Sequence, residues 1–245
     1  MLAELPRRSD REPVVGAGMG GDETTAIDAA AEGVILARFE GLDGLTIVSE
    51  EIGVLGDGDT YVVIDPIDGS LNAKRGIGFF ALSIAVGSGP TMGDVDFGFV
   101  HDFGTGEEWT ATRGEGARLD GRPLDGQRPK DKIEILAFEA TQTVSVAEKA
   151  AAVVDLAHRL RIMGSLALSL CHLAAGRIDA VCSLKPARAV DIAAAQLLVR
   201  EQGLAIDLPE APPFADAPLD LEGRSRVVAA GTPQLCRQLA HALSA

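Results

Sequence analysis

The sequence predicts a layered α/β fold in which sheets are sandwiched between helices, and three observations predict it. Short β-branched runs separated by Gly-rich turns dominate the first half. Beyond a polar segment at Asp125–Asp131, strand-like and helical periodicities alternate. The length, 245 residues, is enough for one large domain or two small ones sharing a core. The polar segment divides the chain into an α+β half over 14–128 and an α/β half over 129–245.

Each element has its own reason. Residues 22–39 read as a helix, because Asp22, Thr24 or Thr25 can cap its start and Ile27, Ala31, Val34 and Ile35 recur at helical spacing. Leu45–Ser49 and Tyr61–Ile64 read as buried strands, each followed by acidic residues. Phe79–Val86, Val95–Val100 and Glu108–Ala111 continue a largely antiparallel sheet, with Asp120-Gly121 as a hairpin turn. In the second half Ile133–Phe138, Ala180–Leu184 and Arg226–Ala230 are strands. Val144–Leu160, Ser165–Ala175, Asp191–Gln202 and Thr232–Ser244 are helices; Gly176 and Gly203 end the middle two, and Thr232-Pro233 opens the last.

Composition narrows the function. Thirty-six acidic residues against 22 basic ones give a formal charge of −14. Such a field repels a phosphate backbone and offers no basic stripe, so no nucleic-acid partner is expected. Phosphate chemistry in this field requires bound cations, although the acidic excess also serves solubility alone. Cys171, Cys182 and Cys236 are odd in number, form no CxxC pair and lie in apolar surroundings. They read as buried thiols of a reducing compartment. Met1–Pro6 lacks the apolar run of a signal peptide, and no stretch approaches the roughly 18–20 apolar residues of a membrane span. The expectation is a soluble cytoplasmic protein with no membrane contact, disordered over its first dozen residues.

The chemistry lies in acids at strand ends. Glu50-Glu51 follows one predicted strand and Asp65 another, with Asp68 three residues further across a tight Pro-Gly turn. If the strands are neighbours, these carboxylates converge, and they cannot all stay ionised without cations. Oxygen ligands with no His or Cys point to Mg²⁺ or Mn²⁺. Two such ions sharing an Asp suit phosphoryl transfer to water, one activating the water and the other stabilising the leaving oxygen. Gly69-Ser70, opening a short helix, would present backbone N–H groups to a phosphate. Taken alone, Asp-Pro-x-Asp-Gly is also simply a well-made turn. Likewise Asp191 alone is equally a helix N-cap, and Asp28 a first-turn residue favoured by the helix dipole.

Asp65-Pro-Ile-Asp-Gly-Ser-Leu-Asn72 resembles the metal-binding signature of the inositol monophosphatase superfamily. Ser49-Glu50-Glu51 resembles its upstream Glu pair, Arg161-Ile-Met-Gly-Ser-Leu-Ala167 its Arg-x-x-Gly-Ser/Thr-x-Ala segment, and Val190-Asp191-Ile-Ala-Ala194 its downstream signature. The resemblance covers nearly the whole chain in order. It implies a five-layered αβαβα sandwich and a Mg²⁺-dependent, often lithium-sensitive phosphatase. Carried over by position, Glu50, Asp65 and the carbonyl of Ile67 bind a first metal. Asp65, Asp68 and Asp191 bind a second, and Glu50 helps a weaker third. Ser70 positions the attacking water and Asp28 orients its hydroxyl. Gly164, Ser165 and Leu166, with Asp68, Gly69, Ser70 and Asp191, meet the substrate.

Three departures from the family pattern bear on detail. Little precedes Gly16, where relatives carry a longer helical segment that contributes dimer contacts; a homodimer is implied by the resemblance alone. The stretch Gly16–Thr25 lacks the Lys that many relatives direct at the third metal. Leu184 stands where animal inositol enzymes place a Glu. Gly78-Phe-Phe-Ala81 and Arg188-Ala-Val-Asp-Ile-Ala-Ala194 resemble the archaeal-type branch, whose members hydrolyse both fructose 1,6-bisphosphate and inositol monophosphate. Lys185 and Arg188 are therefore candidates for a second phosphate or a sugar hydroxyl, or else solvated loop residues. Two other readings stand beside a sugar-phosphate phosphatase. One is a phosphatase of NADP or 3′-phosphoadenosine phosphates, whose dedicated members carry insertions not found here. The other is a phosphatase-like binding protein, in which loss of an acidic ligand would be expected; all are present.

Overall fold

The computed structural model describes residues 13–19, 23–125, 130–139, 142–211 and 213–244. The disorder expected of the first dozen residues, and the 126–129 centre of the polar boundary, lie outside the described residues. In chain order the first half contains β1 (Val14–Ala17), β2 (Glu23–Thr25), α1 (Ala26–Leu36), β3 (Leu45–Ser49), β4 (Gly53–Leu55), β5 (Thr60–Asp68) and α2 (Ser70–Arg75). It continues with β6 (Ala81–Gly87), β7 (Val95–Asp102), β8 (Glu108–Thr112), β9 (Gly116–Leu119) and β10 (Arg122–Pro123). The second half contains β11 (Ile133–Glu139), α3 (Thr143–Ala150), β12 (Ala157–Arg161), α4 (Leu166–Ala174) and β13 (Ala180–Ser183). It ends with α5 (Ala189–Glu201), β14 (Ala205–Asp207), β15 (Val228–Ala230) and α6 (Pro233–Ser244).

Strands β3 to β10 form an eight-stranded sheet in the order β10-β9-β8-β7-β6-β5-β3-β4. Its pairs are antiparallel except for β3 and β5, which run parallel. The other five-stranded sheet has the order β12-β11-β13-β15-β14, with β12 and β13 both parallel to β11.

Alternation along the strands explains the layering. Successive side chains of a strand face opposite ways, so a strand buried on both sides feeds two cores. In β5, Val62 and Ile64 pack with Ile27, Ala31 and Ile35 of α1, while Val63 faces the apolar layer of α4 and α5. In β11, Leu136 and Phe138 pack with Leu235 and Leu239 of α6, while Ala137 faces that same central layer. The order is therefore helix, sheet, helix pair, sheet, helix, the αβαβα sandwich. Helices α4 and α5 are apolar nearly all round because both sides are covered.

Small residues set the layer spacing. Ala193, Ala194 and Ala195 of α5 are buried, and a Cβ added to Gly98 of β7 would lie 2.5 Å from the Ala194 carbonyl oxygen. The Ala-rich composition is thus a packing requirement of the central helix against the sheet. Among the described residues no helix is long and apolar enough to cross a membrane, and all three cysteines are free and buried.

One expected helix is replaced. Residues 144–160 form α3, a short 3₁₀ turn at Ala151–Val153 and then strand β12. Helix α3 buries none of its residues, so local preference had little packing behind it. Pairing of Ala157–Arg161 with the open edge of β11 satisfies a ladder and puts Leu160 on the α6 core. The first helix also starts later than expected, because Thr25 at its N-cap ends strand β2.

Candidate metal centre

The parallel register of β3 and β5 pairs Ser49 with Ile64. Glu50 and Asp65 each stand one residue beyond that pair, Glu50 just after β3 and Asp65 within β5, which runs on to Asp68 past the expected end at Ile64. The first turn of α5 brings Asp191 to the same point. One carboxylate oxygen from each of Glu50, Asp65 and Asp191 lies within 4.8 Å of the others. They line a cavity of about 760 Å³ that also takes in Asp28, Ile67, Asp68, Gly69, Ser70, Gly164, Leu166, Lys185 and Arg188.

Asp68 is turned toward α4. The β5–β6 pairing is irregular between Asp65 and Asp68, and the Asp68 carboxylate accepts hydrogen bonds from Ser165 Oγ at 2.5 Å and Ala167 N at 2.7 Å. Ser165 is the N-cap of α4. The hydroxyl of Ser165 is therefore committed to Asp68, and the N–H of Gly164 to Glu139 at 2.9 Å. Each of these two residues, both expected near the substrate, thus has a donor engaged within the protein. Gly69, with φ of 93°, has no room for a side chain: an added Cβ would lie 2.9 Å from the Gly164 carbonyl oxygen.

Asp28 and Ser70, the pair expected to position the attacking water, each have a hydrogen-bond partner within their own element or turn. Asp28 Oδ2 accepts from the N–H and hydroxyl of Thr25, at the first turn of α1. Ser70 Oγ donates to the Ile67 carbonyl at 3.0 Å. That carbonyl, the backbone ligand implied by the resemblance, thus already accepts one bond on one of its lone pairs. Asp28 Oδ1 is buried with no hydrogen-bond partner in the structure, an acceptor that is costly unless a donor reaches it. Asp191 is not an N-cap: Arg188 occupies that position, and its N–H donates to Asp191 Oδ2 at 2.7 Å.

Arg188 also turns inward. Its guanidinium meets Glu50 Oε1 at 2.6 Å and Asp191 Oδ1 at 3.1 Å, while Lys185 lies exposed on the cavity wall. Of these two candidates for a second phosphate or a sugar hydroxyl, Arg188 is engaged with the acids, and Lys185 shares the wall with Lys74 and Arg224.

Burial dominates the electrostatics. It lifts Glu50 to about 8, against the lowering influence of Arg188 and with help from Asp191 and Glu51. It lifts Asp65 well above the usual carboxylate range, reinforced by Glu50, Asp68 and Asp191. It lifts Asp68 to about 6, partly offset by the Ser165 hydrogen bond. Crowded buried carboxylates with no nitrogen or sulfur among them fit a hard divalent cation, which would favour their ionised forms. Asp102, Glu107 and His172 also approach one another within 4.8 Å. There Arg177 holds Glu107 through two bonds of 2.5 and 2.7 Å, and turn N–H groups hold Asp102, so two of its three members are already engaged.

Two acids escaped the sequence reading. Glu32 is buried one helical turn after Asp28 and accepts from Ser49 Oγ at 2.6 Å and Ile52 N at 3.2 Å, fixing the chain around Glu50. Its place on the apolar stripe of α1 was the available signal. Glu139 ends β11 as Glu50 follows β3, but the expected strand stopped one residue short of it.

An acidic cleft at the strand edge of a layered α/β fold, flanked by two helix starts, belongs to a class of enzymes: hydrolases of phosphomonoesters. Within it, the chain belongs to the inositol monophosphatase family, whose family model matches residues 7–245. It is 34% identical to a fructose-1,6-bisphosphatase/inositol-1-monophosphatase of Methanothermobacter thermautotrophicus, covering 99% of this chain and 91% of that one. A Nus factor SuhB of Escherichia coli strain K12 is 35% identical over 74% of this chain and 70% of its own. Among solved structures, an inositol monophosphatase–fructose 1,6-bisphosphatase superposes with a TM-score of 0.85 at 29% identity, covering 99% of this chain and 93% of that one.

Proposed function

We propose that the chain is a Mg²⁺-dependent phosphatase of a small sugar or polyol phosphate, inositol monophosphate, fructose 1,6-bisphosphate or both. The observation that carries this reading is the meeting of Glu50, Asp65 and Asp191 within 4.8 Å, beside the starts of α2 and α4. Those three carboxylates, with Asp68 and the Ile67 carbonyl, would hold the cations. When bound, a divalent cation supplies a Lewis acid that makes water a nucleophile at neutral pH and steadies the leaving oxygen. The chain's own groups do the rest. The Gly69–Ser70 turn receives the phosphate and the Ser70 hydroxyl positions the attacking water, with Asp28 on the wall of the same cavity. Lys74, Lys185 and Arg224 line the same cavity and suit a substrate carrying a second anionic group or several hydroxyls. The relatives that bear both activity names support the pairing of substrates.

Phosphate release from inositol 1-phosphate and fructose 1,6-bisphosphate, measured with and without Mg²⁺, tests the reading. Asp65→Asn should lower kcat by at least about a hundredfold; unchanged turnover in that variant would end it. The similarity to Nus factors favours a second reading, a phosphatase-like binding protein. Recovery of transcription components in a pull-down, with no turnover on a broad phosphate-ester panel, would put that reading first.

A further inference from the structure

We propose that Arg188 is a resident counter-ion of the metal centre, competing with divalent cations for Glu50 and Asp191 and thereby weakening their binding. The inference rests on the preceding reading that these acids hold a cation. Arg188 sits at the N-cap of α5, where its side chain reaches back across the cleft. Its two terminal nitrogens bond different carboxylates, Glu50 from the first sheet and Asp191 from its own helix. Both belong to the trio whose oxygens approach within 4.8 Å. The backbone N–H of the same residue takes the second oxygen of Asp191, so one residue engages both ends of that carboxylate.

The side chains of Arg188, Glu50 and Asp191 are 12%, 14% and 16% exposed. At that depth solvent and salt screen little, and a charge a few ångströms away is felt strongly. A planar guanidinium can bridge two carboxylates, whereas an ammonium is a single point charge. The three carboxylates of the trio, when ionised beside one guanidinium, leave two negative charges, and Asp68 adds a third. A cation that uses Glu50 and Asp191 in full must loosen the guanidinium first. Such an exchange leaves the acids partly neutralised at every stage, which protects the cleft from the cost of bare buried charge.

The test is Mn²⁺ binding to the full chain, followed by calorimetric titration in a buffer free of other divalent ions, for wild type, Arg188→Gln and Arg188→Lys. Arg188→Gln should bind Mn²⁺ roughly tenfold more tightly and melt at a lower temperature in chelator. Arg188→Lys should fall between the two. Wild-type affinity, or weaker binding, in Arg188→Gln overturns the proposal; if that variant does not fold, Arg188→Lys decides in the same way. In wild type, the Arg188 Nε–H signal of ¹⁵N-arginine-labelled protein should shift as Mg²⁺ saturates, and an unmoved signal at saturation also overturns it. A wild-type chain that binds no Mn²⁺ at all would instead defeat the metal reading on which the inference stands.

Discussion

Glu139 ends β11 with its carboxylate accepting hydrogen bonds from Gly164 N and Ser169 Oγ, and burial lifts it from 4.5 to about 7. An acid whose pKa is higher in the folded chain binds its proton more tightly there. Stability is then greatest below the unfolded pKa and is lost as pH rises through the folded one. A glutamine can accept from Gly164 N through its Oε1 and donate its Nε2–H to Ser169 Oγ, reversing that bond, without the charge. Glu139→Gln should therefore match wild type near pH 4 and exceed it by up to about 3 kcal/mol near pH 8, read from urea unfolding at each pH. The same sign applies to Glu50, lifted to about 8, and Asp68, lifted to about 6. In chelator, wild-type stability should decline between pH 4 and 8. Added Mg²⁺ should remove most of that decline, because a cation prefers the ionised acids. A melting temperature equally pH-dependent with and without Mg²⁺ would count against these acids as its ligands. At this scale the place of Glu50 after a strand was legible, whereas β5 runs on through Asp65 to Asp68 instead of ending at Ile64, and the partners of these acids were not legible. The Thr25-x-x-Asp28 spacing is that of a capping box, in which Asp28 accepts from Thr25, but nothing in the local pattern indicates that Arg188 reaches Glu50.

Among the elements, α5 has the least tolerance. Its Ala193, Ala194 and Ala195 are all buried, and Gly98 of the eight-stranded sheet lies beneath Ala194 without space for a methyl group. Gly98→Ala should destabilise the fold by about 1–3 kcal/mol through overpacking, measured as a shifted denaturation midpoint with an unchanged slope. An unchanged midpoint would mean that the helix can ride outward freely. Elements with a two-sided core were legible: Leu45–Ser49 has the same bounds in the expectation and in the fold, and Ile133–Glu139 differs by one residue. Elements held mainly by pairing were not. Strand β12 carries His158, Arg159 and Arg161 at partly solvent-facing positions and exists because β11 offers an edge. The two-residue β10 and three-residue β14 are likewise too short to carry a period of their own. Local preference decides little where a neighbouring strand decides the outcome.

Across the whole molecule the central helices belong to both sheets at once. The cluster that contains Leu168 and Leu198 also contains Val63 and Val100 of one sheet and Val181 and Ala229 of the other. Parting the sheets would expose that layer, so we expect one cooperative unfolding transition. The sole tryptophan, Trp109, is buried in the first sheet beneath Arg177, whose guanidinium carbon lies 4.9 Å from the ring centroid. Its fluorescence and the far-ultraviolet circular dichroism should therefore lose signal at the same temperature; two separated midpoints would show independently stable halves. The Asn72 side chain holds the seam between those halves. Its amide donates at 2.8 Å to the Phe79 carbonyl and at 2.7 Å to the Met163 carbonyl just ahead of α4. Both carbonyls draw on one planar NH₂ group, so neither loop can retreat without breaking a bond. A groove between two sheets is commonly where a protein flexes to admit its guest. Here one side chain ties α2, which follows the acids of β5, to the loop that leads into α4, so we expect the two walls to move as one.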